Sequence, residues 1–156
     1  MKVTLLLVGK TQNKLFQEAI NDYVGRIEHY LPFNIVTIAD LKNTKNLSEQ
    51  QQKDAEGAMI LKEIQSADTV VLLDEHGKEF RSVDYAQWLQ KKQNTAKRLL
   101  FVIGGAYGFS EAVYKRANEK ISLSKMTFSH QMVRLIFTEQ LYRACTIIKG
   151  EPYHHE

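Results

Sequence analysis

Apolar residues fall along this chain in two alternating patterns. Five short runs are almost continuously apolar and rich in branched side chains, which is typical of strands buried in a parallel sheet. These runs are Val3–Val8, Ile35–Ile38, Thr69–Leu73, Leu99–Ile103 and Ile121–Leu123. Between them, apolar residues recur every three or four positions, which predicts amphipathic helices. The predicted helices are Asn13–Tyr30, Ser48–Gln65, Ser82–Gln93, Ser110–Lys120 and Ser129–Lys149.

Cap and turn residues mark the ends of several of these elements. Ser48 with Gln51 fits a capping box at the start of the second helix. Asp74–Gly77 predicts a turn after the third strand, and Gly150 predicts the end of the last helix. Regular alternation of strands and helices predicts one α/β domain over residues 1–156, with a mostly parallel sheet and helices on both faces. Ligands bind such sheets beyond the carboxyl ends of the strands, where several glycines of this chain lie.

Composition narrows the class of protein. A chain of 156 residues can bury a core without disulfides, and an apolar fraction of 44% is ordinary for a globular protein. No apolar run approaches the ~20 residues that span a membrane, and the first residues lack a signal-peptide pattern. The single cysteine, Cys145, excludes an intrachain disulfide and a multi-cysteine zinc site, and its apolar neighbours predict a core position. We therefore expect a cytoplasmic protein that contacts no membrane and holds no metal.

The net charge of +3 does not by itself identify a partner. Basic residues cluster at Lys91–Arg98 and at Lys115–Lys120. Each cluster fits either a local contact with nucleic acid or an ordinary solvated helix face. The charge pattern therefore leaves open both a non-catalytic RNA-binding module and a plain structural α/β domain.

Two glycine motifs bear on nucleotide binding. Gly9-Lys10-Thr11 resembles the end of a P-loop, but Thr4, inside the first strand, stands where that loop requires a glycine. Gly104–Gly108 follows a strand and precedes a helix, close to the dinucleotide fingerprint. The next strand ends in Leu123-Ser124 and lacks the acidic residue that binds a ribose. A dinucleotide-dependent oxidoreductase therefore remains an alternative function, although the acidic residue that would bind the ribose is missing.

Two segments near the carboxyl terminus have unusual compositions. Ile121–His130 alternates polar and apolar residues, so its backbone can contact the edge of a planar ligand while its apolar side chains contact the faces. Glu151–Glu156 follows the last helix and carries one tyrosine and two histidines. Because terminal segments are usually loosely held, we expect this tail to contribute little to the core. No pair of histidines has the helical spacing of a metal site.

Several segments, in their order and spacing, resemble the RlmH family, which are SPOUT-class methyltransferases of a pseudouridine in large-subunit ribosomal RNA. The resemblance covers the whole chain. Its segments are Lys2–Lys10, Val71–Asp74, Gly77-Lys78, Phe101–Gly105, Gly108, Ser122–His130, Val133-Arg134, Glu139–Ala144 and Pro152–His154. One departure is His155, which stands where relatives often carry arginine or lysine.

This resemblance implies a SPOUT-type α/β knot, in which a C-terminal part of roughly residues 70–156 is threaded as a trefoil knot. It also implies a homodimer, and S-adenosyl-L-methionine bound in a bent shape within the knot. Carried over by position, the cofactor-binding residues are Leu73, Gly105, Leu123, Ser124, Lys125, Met126, Thr127 and Phe128. The resemblance thus brings together a strand end, a glycine turn and the polar-apolar segment already noted.

The implied reaction transfers a methyl group to N3 of a pseudouridine in 23S ribosomal RNA, with the assembled ribosome as the expected substrate. That nitrogen must lose its proton, so a nearby cation, hydrogen-bond donor or general base would assist. Our candidates are Tyr153 and His154 in the tail, with His130 and Arg134 as supporting donors. The apolar face of the last helix is wider than one small sheet can cover. We therefore expect part of this face to form the dimer interface.

Overall fold

Five strands and five helices alternate along the chain, which the computed structural model describes from residue 1 to residue 156. The strands are β1 (Lys2–Val8), β2 (Phe33–Ile38), β3 (Thr69–Glu79), β4 (Arg98–Ile103) and β5 (Glu119–Ser122). The helices are α1 (Lys14–Ile27), α2 (Glu49–Glu63), α3 (Ser82–Gln93), α4 (Glu111–Arg116) and α5 (His130–Lys149). A single 3₁₀ turn, Thr44–Asn46, precedes α2. Each predicted strand and helix is present.

The five strands form one parallel sheet in the order β2-β1-β4-β3-β5. Helices α1, α3 and α5 cover one face of the sheet, and α2 and α4 cover the other. Leu5 and Leu7 of β1 contact the first group of helices, whereas Leu6 and Val8 lie on the opposite face. Both sides of the central strands β1 and β4 are therefore buried, which explains why these strands are continuously apolar rather than alternating. The predicted α/β class is confirmed.

Helix α5 lies between α1 and α3 and supplies much of the larger apolar cluster. Phe137, Leu141 and Ala144 are almost completely buried there, and the Phe101 ring of β4 lies 4.8 Å from that of Phe137. Cys145 is 3% exposed, and burial raises the pKa of its thiol to about 12. The predicted core position of this cysteine is confirmed.

Strand β3 is longer than predicted. Asp74–Gly77 was expected to form a turn, but the strand continues to Glu79 through an irregularity in which Leu73 and Lys78 both pair with Ile121 of β5. Gly77 is required at this point, because a Cβ there would lie 2.5 Å from the Ile121 backbone. The extra residues bulge at the carboxyl edge of the sheet and widen it.

Helix α4 is shorter than predicted. It ends at Arg116, and not at Lys120, because Asn118 bonds to the edge of β3 instead of continuing the helix. The Asn118 amide donates to the Val70 carbonyl at 2.9 Å, and its side-chain oxygen accepts from the Val70 amide at 2.8 Å. These two bonds start β5 at Glu119.

The chain leaves neighbouring strands toward opposite faces of the sheet. The connection after β1 runs to α1 on one face, the connection after β4 runs to α4 on the other, and that after β3 returns to α3 on the first. Parallel sheets open crevices at their carboxyl edge where adjacent connections diverge in this way. Two such crevices, on either side of β4, hold the cavities described next.

Candidate active site

A cavity of about 770 Å³, called here the main cavity, opens at the carboxyl ends of β3 and β4. Its walls come from Leu73–His76 of β3, from Ile103–Phe109 after β4, and from the segment that joins β5 to α5. Seven of the eight predicted cofactor residues line it. They are Leu73, Gly105, Leu123, Ser124, Met126, Thr127 and Phe128. Three segments that are distant in the sequence thus converge on one space.

Lys125 is the predicted cofactor residue that does not line the main cavity. Its side chain is 86% exposed and its Nζ lies 4.0 Å from a Glu79 carboxylate oxygen. Lys125 lies in a bend of the chain, where the Ser124 hydroxyl accepts from the Met126 amide. Cofactor binding by Lys125 stays a prediction, and it would have to use the backbone of this residue.

Two serines hold the segment that joins β5 to α5. The Ser122 hydroxyl donates to the Ser124 carbonyl at 2.9 Å, and the Ser124 hydroxyl accepts from the Met126 amide at 2.9 Å. Ser129 then caps α5 by accepting from the Met132 amide at 3.2 Å. Each hydroxyl bonds to nearby backbone, which favours a defined loop over a helix. Met126 is left 79% exposed at the mouth of the cavity.

The rim on the β3 side carries negative charge. One oxygen of Asp74 accepts from the His76 amide at 2.8 Å, and the other accepts from the Tyr114 hydroxyl. Burial, together with this bond to Asp74, raises the pKa of Tyr114 to about 12, so the phenol remains a donor. The carboxylate of Glu75 lies on the same rim. Two neighbouring carboxylates favour the positively charged part of a ligand.

The glycine turn after β4 is constrained by close packing. A Cβ on Gly104 would lie 2.9 Å from the Phe109 ring, and Gly108 has a φ of +80°, in the region that favours glycine. Gly105 donates its amide to Glu56 Oε1 at 2.8 Å, and a Cβ on Gly105 would collide with that carboxylate. A side chain at position 105 would therefore displace the Glu56 carboxylate from its bond with the Gly105 amide.

Glu56 is a half-buried carboxylate that the sequence analysis did not identify. Burial raises its pKa, while the bond from Gly105 and the proximity of His130 act in the opposite direction. Its one signal in the sequence is the neighbouring Gly57, where a Cβ would collide with Ser110, so α2 packs closely against the start of α4. A charged helix face with a glycine in its middle offers no further pattern, so the contact with Gly105 was not predictable.

A second cavity of about 340 Å³ meets the main cavity at Gly105–Gly108 and His130, which line both. Its other walls come from the end of β1, from the loop after β2 and from α2. Only four of its 17 lining residues are hydrophobic, and Asp40, Glu56 and Lys53 are among the charged ones. The second cavity is thus the more polar of the two.

His130 and Arg134 both reach this region, with different surroundings. His130 is the exposed first residue of α5 and lines both cavities. Arg134 is 3% exposed and donates to the Val8 carbonyl at 2.7 Å and to Thr11 Oγ1 at 3.0 Å. Burial lowers the pKa of its guanidinium, which Asp40 partly offsets. Arg134 therefore ties α5 to the end of β1, and its two terminal nitrogens already have partners.

The tail is docked on the surface of α5. The Tyr153 hydroxyl donates to Glu139 Oε1 at 3.0 Å, and its ring packs edge-to-face on Tyr142 with centroids 4.7 Å apart. The Arg143 guanidinium lies 4.8 Å from the centroid of the same ring. Burial, with hydrogen bonds to Tyr23 and Glu139, raises the pKa of the Tyr153 phenol. No residue of the tail belongs to either buried apolar cluster, so the expectation that the tail contributes little to the core stays a prediction.

His154 contacts Arg143, whose Nη1 lies 3.1 Å from His154 Nδ1. Because a guanidinium can only donate, Nδ1 accepts and the hydrogen-bond network places the ring proton on Nε2. Measured along the axis of α5, Glu139 and Arg143, which contact the tail, lie about 14 and 20 Å from His130. Neither Tyr153 nor His154 lines either cavity. Within one chain, the two tail candidates are therefore separated from His130 and the main cavity.

The basic clusters are largely used within the chain. Arg98 donates to both oxygens of the buried Asp68 at 2.9 and 2.6 Å, Lys92 pairs with Glu119, and Arg116 donates to two backbone carbonyls. These contacts favour the structural interpretation of both clusters. No three His, Cys, Asp or Glu side chains are grouped so as to hold a metal ion. No helix has the length and apolar character needed to cross a membrane.

Known proteins match nearly the whole length of the chain. The family model described as "Predicted SPOUT methyltransferase" matches residues 1–154. A Parabacteroides distasonis protein named ribosomal RNA large subunit methyltransferase H is 62% identical over the full length of both chains. Proteins of the same name from Bacteroides fragilis and Flavobacterium johnsoniae are 59% and 55% identical, again over the full length of both chains. On the strength of this near-complete match, the chain belongs to the SPOUT methyltransferase family.

Proposed function

We propose that this protein is an S-adenosyl-L-methionine-dependent methyltransferase that methylates N3 of a pseudouridine in 23S ribosomal RNA. The observation that carries the proposal is the main cavity, which is built from the ends of β3 and β4 and the β5–α5 segment. Relatives that are 55–62% identical over their whole length are named ribosomal RNA large subunit methyltransferases. The whole ribosome is the substrate form that we propose.

The residues of the main cavity fit this methyl donor. Ten of its 21 lining residues are hydrophobic, which suits the faces of an adenine ring, and the backbone of Leu123–Phe128 can bond to the ring edge. Asp74 and Glu75 on the rim suit the positive charges of the ligand. When bound, S-adenosyl-L-methionine supplies an electrophilic methyl group. The chain's own contribution is to orient that group and to exclude water from it.

The target nitrogen must approach the main cavity from the side of His130. His130 is exposed there and can donate a hydrogen bond to a base carbonyl beside the reacting nitrogen, which would favour loss of the nitrogen's proton. Arg134 acts by holding the start of α5 to β1 through its bond to the Val8 carbonyl. Tyr153 and His154 are the remaining proposed catalytic residues, and they require a second subunit.

We propose a homodimer in which the tail of one protomer reaches the cavities of the other. Met132, Leu135 and Ile136 form a half-buried stripe on α5 that belongs to neither apolar cluster. Tyr153 docks on Glu139, further along α5. Antiparallel packing of two α5 helices through this stripe would place the carboxyl half of one helix beside the amino end of the other. That arrangement supports a site in which His154 offers its Nε2–H to the target base.

We also propose that residues 1–156 form one domain in the cytoplasm, with a trefoil knot over roughly residues 70–156. The placement of the β5–α5 segment supports the knot, because it passes beside Leu73 and Gly105 before α5 packs between α1 and α3. A structure of this kind holds a ligand with backbone groups from three crossing segments.

Isothermal calorimetry tests the choice of ligand. The protein is expected to bind S-adenosyl-L-methionine and not NAD(H) or NADP(H), because the acidic residue of a dinucleotide site is missing. Binding of a nicotinamide dinucleotide instead would favour the oxidoreductase alternative. Incubation with ribosomes that lack the modification, followed by mass analysis of the RNA, should then place one new methyl group on a pseudouridine.

A further inference from the structure

The second cavity contains an acceptor that the proposed methyl transfer does not use. Glu56 Oε1 accepts from Gly105, whereas Glu56 Oε2 forms no hydrogen bond within the chain. The side chain is half-buried, and burial raises its pKa, while the bond from Gly105 and the proximity of His130 oppose that rise. Glu56 Oε2 is not among the buried polar atoms that lack a partner, so it is open to the second cavity, which Glu56 lines. A ligand in this cavity that presents an N–H or O–H can therefore bond to it.

The position of the second cavity limits what that ligand can be. It shares Gly105–Gly108 and His130 with the main cavity, and it opens where the connections from β1 and β4 diverge. A base whose N3 faces a methyl group in the main cavity must place the rest of its ring in adjoining space. The volume of about 340 Å³ lies within the range of small-ligand sites. Enzymes that modify a base in a polynucleotide draw the nucleoside out into such a pocket.

The remaining lining fits a nucleoside extruded from RNA. Tyr107 is 45% exposed and lines both cavities, so its ring is free to stack on a base. Lys10 and Lys53 lie on the side of β1 and α2 and suit the flanking phosphates. The cavity thus offers an aromatic surface, cations and a carboxylate acceptor in one place.

We propose that the second cavity receives the target nucleoside and that Glu56 Oε2 accepts a hydrogen bond from N1–H of pseudouridine. This inference rests on the proposed function. Pseudouridine carries a hydrogen on N1, whereas in uridine N1 bonds to the ribose and a C–H takes the corresponding place on the ring edge. Uridine would leave the Glu56 carboxylate without a donor, and sites built around a hydrogen bond reject analogues that lack it. Glu56 is thus a specificity-determining residue for pseudouridine over uridine.

The test compares Glu56→Gln with the wild-type protein on ribosomes whose 23S RNA bears pseudouridine or uridine at the target position. Glutamine keeps an oxygen for Gly105 but turns an N–H₂ donor toward N1–H. We expect kcat/KM for the pseudouridine RNA to fall about 10- to 100-fold, the value of a hydrogen bond to a charged group. The uridine rate should not fall, and affinity for S-adenosyl-L-methionine should stay within about twofold. Asp54→Asn removes a charge from the exposed side of the same helix and should change neither rate.

A second measurement uses only the wild-type protein, so it does not depend on correct folding of Glu56→Gln. Wild-type protein is given ribosomes whose 23S RNA carries 1-methylpseudouridine at the target position, in which a methyl group replaces the N1 hydrogen. Methylation at the pseudouridine rate, or an unchanged preference in Glu56→Gln, would overturn the assignment of Glu56. An equal loss on both RNAs together with weaker cofactor binding would overturn it in favour of a role through Gly105 alone. If the wild-type protein leaves the pseudouridine of such ribosomes unmethylated, the proposed function itself fails.

Discussion

Replacement of Tyr153 tests whether the tail is docked on α5 in solution. Tyr153→Phe removes the hydroxyl that donates to Glu139, and Arg143 still pairs with that carboxylate. The expected loss is about 1 kcal/mol of unfolding free energy. Tyr153→Ala also removes the edge-to-face contact with Tyr142 and the ring beneath Arg143, for a total of about 3 kcal/mol. For a chain of this length the melting temperature should fall by about 3 °C and about 9 °C, respectively.

The assay is thermal unfolding followed by circular dichroism at one fixed protein concentration, since association also shifts the midpoint. His155→Ala is the matched control, because this exposed neighbour should shift the midpoint by less than about 1 °C. Both Tyr153 variants should still bind S-adenosyl-L-methionine, because all the proposed cofactor residues that line the main cavity lie outside the tail. Tyr153→Ala should lose methyl transfer. A Tyr153→Ala melting point equal to that of wild type would refute the docking, and full activity would refute the role of the tail in catalysis.

Three further predictions concern stability, the thiol and assembly. Burial opposes ionisation of Asp68, but hydrogen bonds from Arg98 and from a backbone amide outweigh it and lower its pKa, so wild-type stability should decline below about pH 4. In urea titrations, Asp68→Asn should lower the free energy of unfolding by about 3 kcal/mol at pH 7 and should make its fall below about pH 4 shallower. An equally steep fall in the variant would contradict the role of Asp68. Cys145 should resist iodoacetamide at pH 8 in the native protein and react after denaturation, as read by mass spectrometry; rapid native labelling would contradict its burial. Ile136→Arg should convert the dimer to a monomer in sedimentation at micromolar concentration, and a wild-type monomer there would count against the proposed interface.

The alternation of apolar runs was sufficient to predict the strands, the helices and the two-sided covering of the sheet. These features depend on local periodicity and on the requirement to bury both faces of each strand. The end of α4 was misjudged because Glu119 and Lys120 read as a helix end, whereas Asn118 bonds to Val70, which lies 48 residues earlier. A hydrogen bond between residues that lie far apart in the sequence cannot be predicted from the local pattern of apolar positions.

The residues of the candidate site could likewise be predicted only in part. Gly105 and Leu123–Phe128 were recognised because motifs and a family resemblance mark them. Glu56 was missed, since its role depends on a contact 49 residues away with Gly105. The docking of Tyr153 was also missed, because the contacts of a terminal tail depend on which surface of the folded chain is free to receive it.

The central claim is most directly tested by mass mapping of 23S ribosomal RNA from cells in which the gene for this protein has been deleted. We predict that one pseudouridine loses its N3-methyl group and that expression of the wild-type chain restores it. Expression of Tyr153→Ala should not restore it. Persistence of the methylated pseudouridine in the deleted cells would contradict the assigned reaction.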